Sequence, residues 1–309
     1  MTMALTSLQQ LILSVYIVTF VMGLPANILA FYTFFMKVRR KPAPIDILLL
    51  NLTISDLIFL FFLPFRMVEV CQDMLWVLPY FLCPLSSFIF YSTIYMSTFL
   101  LMGISVERYL GVAFPVKYKM NRKPIYAACV GIFFWVISTA HCSIVYIVQY
   151  QKPGNGTQNF SICYEGFTKE QLDLLLPFRF EMFIVLFCIP LLITSFCYIN
   201  LIRILTSLPY INHQRKQRAI GLALGTLLVF ILCFCPYNIS HVVGFVKGKS
   251  PTWRVMTLLL STFNTCLDPI IFYFSSSEVQ NSVRNCVSGV LGRIQAIRFC
   301  KRLSSGVHS

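Results

Sequence analysis

The chain has 309 residues, of which 57% are hydrophobic and only 12% charged, with a formal net charge of +14. Soluble domains carry about 45–50% apolar and about 25% charged residues, so this composition excludes an ordinary soluble protein and points into a bilayer. The basic excess is spread over short loops, which makes it a topology signal and not a nucleic-acid footprint.

A spanning helix needs roughly 20 mainly apolar residues. Seven such runs are legible, at about 8–36, 44–70, 80–112, 125–148, 174–205, 215–246 and 253–275. The expected fold is therefore an all-α membrane protein, a seven-transmembrane helix bundle over 1–275 followed over 276–309 by a short amphipathic helix and a cytoplasmic tail. Met1 to Gln10 lacks a basic leader, and the apolar run from Leu11 reaches spanning length, so the first span is expected to act as its own insertion signal. Lys37, Arg39, Arg40 and Lys41 follow the first span, and Lys117, Lys119, Arg122 and Lys123 follow the third. Arg203, Arg215, Lys216 and Arg218 flank the loop after the fifth, and Arg284, Arg293, Arg298, Lys301 and Arg302 lie in the tail. These ends are cytoplasmic by the positive-inside rule, which puts the N-terminus outside. A basic inner rim also suits contact with anionic membrane lipid.

The longest outer loop, about 149–173, carries two sugar-acceptor patterns, at Asn155 and Asn159. Asn51 and Asn238 match the same pattern but lie inside spans, beyond a transferase's reach. Of twelve cysteines, most sit in apolar helices, where Cys behaves as a small hydrophobe. Cys83 and Cys163 both fall at the oxidising outer face and are expected to pair, the alternatives being free thiols or a bond using Cys71. From Glu278 to about Leu291 an amphipathic helix is expected on the inner leaflet, with Cys286 and Cys300 as candidate acylation sites.

Polar groups are costly inside lipid and tend to face the bundle interior. Asn27, Asp56, Ser97, Asn264 and Asp268 form such a set at mid-membrane depth. They read either as mutually hydrogen-bonded structure or as a relay holding a small cation such as sodium near Asp56. Glu107-Arg108-Tyr109 ends the third span, where the acid is expected to hold the arginine until a partner displaces it. Pro64, Pro190, Pro236 and Pro269 each remove a backbone donor and are expected to kink their helices.

In order along the chain, the Gly23-to-Asn27 G-x-P-x-N, the L-x-x-S-D ending in Asp56, Glu107-Arg108-Tyr109, Trp135, Pro190, Cys233-Phe234-Cys235-Pro236 and Asp268-Pro269-Ile270-Ile271-Phe272 resemble the rhodopsin-like G-protein-coupled receptors. That resemblance covers nearly the whole chain and implies heterotrimeric G proteins and arrestin as partners. It also makes Glu107, Arg108, Tyr109, Asp268 and Pro269 the activation switch. Two positions depart from the pattern: Phe234 stands for the usual tryptophan, and Phe272 for the tyrosine of Asn-Pro-x-x-Tyr, with Tyr273 adjacent.

Near the outer ends of spans five, six and seven stand Arg179, His241 and Arg254. Arg179 precedes Pro190 by eleven residues and Arg254 precedes Pro269 by fifteen, about 16 and 22 Å along a helix. All three can share one level near the mouth, with Tyr91, Tyr237, His141 and Glu165 as neighbours. Two guanidiniums at one level of an apolar funnel repel unless an anion joins them, and a carboxylate matches their planar fork. The competing readings are interfacial snorkelling for Arg254 beside Trp253, an ion pair of Arg179 with Glu165 or Glu181, and a merely satisfied polar role for His241.

Pro42 to Leu50, Glu107 to Tyr118, Cys235 to Gly244, Ser250 to Arg254 and Asp268 to Ser277 are similar to the free fatty acid receptors for short-chain carboxylates. Leu63 to Glu69 leans toward type 3, and Leu110 to Tyr118 toward type 2. The resemblance implies acetate, propionate and butyrate as ligands, inhibitory and Gq-class G proteins as transducers, and Arg179, His241 and Arg254 as carboxylate anchors. An acid of two to four carbons buries little apolar area, at about 0.8 kcal/mol per methylene, so weak, high-micromolar to millimolar binding is expected. The rival within the fold is a receptor for another small anion: a hydroxy acid, nucleotide or lysophospholipid. Against a transporter, the spans show no inverted repeat. Against an enzyme, there is no metal-ligand spacing and no nucleophile beside a base.

Overall fold

A computed structural model of the chain describes residues 6–121, 123–150, 163–208, 213–275, 279–285 and 288–289. Seven helices in it are long and apolar enough to cross a membrane: Ser7–Arg40, Pro44–Cys71, Leu82–Ala113, Pro124–Tyr150, Lys169–Ser207, Lys216–Lys247 and Arg254–Phe272, here spans one to seven. Each falls on a run anticipated from hydropathy. The main displacement is at span five, which starts at Lys169 because Thr168 and Gln171 form a capping box. That polar turn carries no apolar signal but closes two orphan donors at the helix start. Thr6 and Gln9 do the same for span one, and Gly248, at φ 62°, ends span six in the left-handed conformation that glycine adopts without strain. A short helix over Pro115–Asn121, in the inner loop after span three, has no counterpart in the hydropathy reading.

Span three is the axis of the bundle, with buried residues on every face from Cys83 to Ser105. The outer spans instead leave large apolar side chains uncovered, such as Phe61, Leu192 and Val246. That is the surface a hydrocarbon environment requires, since lipid tails are as apolar as leucine.

Two of the four prolines flagged in the sequence coincide with π-helical turns, Phe183–Cys188 before Pro190 and Phe230–Phe234 before Pro236. A proline leaves the carbonyl four residues earlier without its donor, and in lipid no water replaces it. For Pro190 that carbonyl is Leu186, which accepts the Thr98 hydroxyl of span three at 2.9 Å. In the sixth span's π turn the Cys233 carbonyl accepts from Ser261 of span seven at 2.8 Å. The proline signals in the sequence thus become cross-links between helices.

At the outer face Cys83 and Cys163 are joined by a disulfide with Cα atoms 5.6 Å apart, while Cys71 is free and exposed. The bond ties the loop before span five to the first turn of span three. Tyr164, the next residue, has φ 53°, a left-handed conformation unusual for a bulky residue. It turns the ring inward, 5.6 Å from Tyr91 and 4.9 Å from Phe167. Asn155 and Asn159 lie outside the described residues, as do Cys286 and Cys300. Asn51 and Asn238 are engaged inside the bundle: Asn51 accepts from the Trp135 indole at 3.2 Å, and Asn238 donates to the Phe234 carbonyl at 2.9 Å. Of the tail helix, 279–285 is described and helical, and Ser282 accepts from Thr33 of span one at 3.1 Å.

Because the disulfide pins Tyr164 over the mouth, Cys163→Ser is expected to lower stability by about 2–5 kcal/mol. Thermal melting of the purified protein, with and without reductant, checks this. An unchanged melting temperature in both arms contradicts the strap role.

Candidate functional site

An arginine in an apolar helix must either reach water or find partners, and the outer bundle gives two of its arginines neither in full. Arg179 sits in the last turn of the regular helix Lys169–Met182, just before the π turn, and Arg254 is the first helical residue of span seven. Both are buried, at 3% and 9% exposure, so neither snorkels to the interface. Arg254 donates through Nη2 to the hydroxyls of Tyr237 at 3.0 Å and Tyr91 at 3.4 Å. Its guanidinium also lies 5.4 and 5.6 Å from the centroids of the same two rings, which stack on each other at 6.3 Å. Arg179 donates through Nη1 to Ser250 Oγ at 3.1 Å and rests 5.3 Å from the Phe167 ring.

These partners are neutral. The ion pair weighed for Arg179 does not form with Glu181, whose carboxylate instead meets His141 Nε2 at 3.0 Å. His141, expected beside the pocket, is therefore turned toward Glu181 and is absent from the cavity wall; its Nδ1 faces the Ile137 carbonyl at 2.8 Å.

Among the described residues of the outer bundle, three buried nitrogens are left without a hydrogen-bond partner: Arg179 Nη2, Arg254 Nε and His241 Nδ1. Buried polar atoms are nearly always paired, so a cluster of orphans marks a place where something else binds. All three side chains line one tight cavity of about 10 Å³, walled by Tyr91, Tyr237 and Tyr164 and by the apolar Cys142, Ile144, Val145, Leu175 and Met182. No carboxylate among the described residues lines it. The three anchors and the tyrosines expected from the sequence are thus brought together.

Several contributors had no place in the sequence reading. Tyr95, wholly buried, contacts His241 Nε2 at 2.9 Å and Asn238 Oδ1 at 3.4 Å. With Nε2 engaged by Tyr95, the His241 nitrogen left facing the cavity is Nδ1. The signal for Tyr95 was its position one helical turn below Tyr91 on the same face. Ser250 had none, since it lies in the turn before span seven and meets Arg179 only through folding.

Above this cavity lies a vestibule lined by Arg66, Glu69, Glu165, Tyr164 and the outer side of Arg254. Arg66 is paired with Glu69 at 2.7 Å and also hydrogen-bonded to Ser87. Glu165 stands at this rim and does not pair with Arg179; its carboxyl is held above the ordinary carboxylate range by desolvation first and by Glu69 second. The Tyr164 phenol is pushed up to about 12, chiefly by burial, so it is a neutral hydroxyl at physiological pH.

Deeper in the bundle, Asn27 donates to the carbonyls of Gly23 and Thr265, both at 3.0 Å, and Asn264 donates to Asp268 at 2.9 Å. Asp56 interacts with Thr265 and Asp268, while Ser97 is buried on span three. Four oxygens here have no partner: Asn27 Oδ1, Asp56 Oδ2, Asn264 Oδ1 and Asp268 Oδ1. An oxygen-only set with two carboxyl groups fits a small alkali cation. At the inner end Glu107 accepts the Tyr118 hydroxyl at 2.5 Å, a contact the sequence reading missed; Arg108 is half-buried beside it. Tyr109 packs its ring edge-on to Phe114 and Phe196. Phe234 and Phe272, the two departures from the motif, are fully buried against Phe230 and Phe34.

Residues 26–272 match the family described as the 7 transmembrane receptor (rhodopsin family). The chain is 48% identical over 284 residues to free fatty acid receptor 3 of Rattus norvegicus, covering 91% of this chain and 88% of that one. It is 50% identical over 293 residues to free fatty acid receptor 2 of Mus musculus, covering 92% and 89%. Free fatty acid receptor 1 of Macaca fascicularis is 31% identical over 277 residues, covering 85% and 90%. With its seven apolar spans and basic inner rim, the chain is a multi-pass plasma-membrane protein that belongs to the rhodopsin family of seven-transmembrane receptors and, within it, to the free fatty acid receptors.

Proposed function

We propose that the chain is a sensor of short-chain carboxylates that signals to heterotrimeric G proteins. The observation that carries this reading is the set of three orphaned nitrogens on Arg179, Arg254 and His241 around one small cavity with no acid among the described residues of its wall. A bound carboxylate brings two oxygens with about four acceptor sites. It takes up Arg179 Nη2 and Arg254 Nε, meets His241 Nδ1 in the tautomer that carries its proton there, and relieves the repulsion between the two guanidiniums. Tyr91 and Tyr237 hold Arg254 in place beforehand, so little ordering is left for the ligand to accomplish.

The short alkyl tail lies against Cys142, Ile144, Val145 and Met182. The free space among the three anchors is only about 10 Å³, about enough for one water, so an acid enters by parting the side chains around it, and a tight site of this kind suits the small acids acetate, propionate and butyrate. Similarity to free fatty acid receptors 2 and 3 supports the same ligand class. Identity of 50% to one and 48% to the other does not favour either type.

Activation follows from differential affinity. An acid that draws spans five, six and seven together at the mouth favours whichever bundle state holds them closer. The π turns at Phe183–Cys188 and Phe230–Phe234 lie between the ligand and the inner ends, where those helices depart from regular α geometry. Near Asp56 a sodium ion would be held by Asp56, Asp268, Asn27 and Asn264. The inner rim of Lys117, Lys123, Arg203 and Arg218 faces the G protein, with arrestin as a second partner for the same surface.

Arg179→Ala and Arg254→Ala are each expected to abolish the G-protein response to propionate while the receptor still reaches the cell surface. A normal response in both variants sinks the carboxylate site. Tyr237→Phe removes one hydrogen bond to Arg254, worth about 0.5–1.5 kcal/mol, and is expected to raise the half-maximal propionate concentration roughly tenfold at most. In a nucleotide-exchange titration from formate to decanoate, activity is expected among the two-to-four-carbon acids and lost in the longer ones. A maximum at octanoate or decanoate contradicts the cavity's size limit.

A further inference from the structure

Arg179 and Arg254 carry their charge at any physiological pH, and around the cavity they share the protein supplies little to balance them. The two guanidiniums lie close enough to repel each other, and both act on His241. Of the outer acids, Glu69 is paired with Arg66 and Glu181 with His141. Glu165 stands in the vestibule, on the outer side of Arg254, and is not part of the cavity wall. Among the described residues, two buried cations therefore face one outlying carboxylate, a surplus of one positive charge.

Size narrows what can answer that surplus before an acid arrives. Arg179 Nη2, Arg254 Nε and His241 Nδ1 are buried without a hydrogen-bond partner, and the space they line measures about 10 Å³. That is room for one particle of about a water's size. A carboxylate, with two oxygens and an alkyl group, enters only by parting the side chains. A water fits, but it brings a dipole and no charge. A halide ion is a sphere slightly larger than water that accepts N–H groups from any direction and carries the one negative charge required. Buried charge is costly unless paired, so the anion is favoured over the water in the same space.

We propose that chloride, the abundant small anion outside cells, occupies this cavity in the resting bundle and is displaced when a carboxylic acid binds. The inference rests on the reading of the cavity as a carboxylate site and adds a competitor to it. Chloride draws Arg179 and Arg254 together and leaves the wall closed. The acid replaces that charge and moves Cys142, Val145 and Met182 aside for its alkyl group. The two anions thus favour different arrangements of spans four to seven, and outside chloride sets how much acid is needed. At about 0.15 M salt, a chloride dissociation constant of about 40 mM raises the half-maximal acid concentration about fivefold.

Chloride binding is read from the chloride NMR line width of the full-length receptor in phosphatidylcholine nanodiscs, as the excess over empty discs. Propionate is expected to remove part of that excess, and its neutral isostere propionamide to leave it. The part that propionate removes is expected to be missing in Arg179→Ala and in Arg254→Ala. When sodium sulfate replaces sodium chloride at constant ionic strength, the half-maximal propionate concentration for nucleotide exchange is expected to fall about fivefold. A wild-type line that propionate leaves unchanged, or that propionamide narrows equally, overturns the proposal. So does an unchanged half-maximal concentration in sulfate. If either result comes with loss of the propionate response in both arginine variants, chloride is refuted and the carboxylate site stands; a normal response in both variants refutes the carboxylate site itself. Should the variants melt early, displacement by propionate against propionamide on the wild-type protein decides.

Discussion

Two guanidiniums buried at the outer end of one apolar bundle repel each other, and the neutral hydroxyls around them answer only part of their hydrogen-bonding capacity. Most of what distinguishes this bundle at its mouth serves to hold that arrangement. The stacked Tyr91 and Tyr237 brace Arg254, Ser250 and Phe167 brace Arg179, and Tyr95 orients His241. The disulfide lays Tyr164 over the top. Desolvated charge is costly unless paired, so a site with surplus cations favours an anion, and the cavity's size favours a small one.

The same rule governs the middle of the membrane with the sign reversed. Around Asp56 and Asp268 the unanswered atoms are oxygens, which invite a cation. Between these two levels the π turns of spans five and six give up regular helix geometry. Their freed or strained carbonyls are taken up by Thr98 and Ser261 from neighbouring helices. A helix whose bend depends on a hydroxyl from its neighbour can change shape only together with that neighbour. This couples the mouth to the inner ends without a continuous chain of charged contacts.

Glutamates at the outer face divide the labour. Glu69 neutralises Arg66, and Glu181 meets His141, so neither reaches the central cavity. Glu165 stands in the vestibule next to the outer side of Arg254. The two arginines of the cavity thereby remain available, in a bundle that pairs a third outer arginine, Arg66, internally.

The spans, their orientation and the outer disulfide were legible in the sequence because lipid imposes rules that act residue by residue. Apolar length, the side on which lysines and arginines gather and the compartment that oxidises thiols need no knowledge of neighbours. The anchors Arg179, His241 and Arg254 were legible for the same reason, since a charge at that depth is conspicuous in one dimension. Rotation about each helix axis and the reach of side chains across the bundle were not. Whether His141 faces the cavity or Glu181, that Tyr118 meets Glu107, and that Ser250 and Tyr95 support the anchors depend on how helices and loops pack together. Hydropathy sets depth in the membrane; only the packed bundle sets direction, and direction decided which donors were left for a ligand.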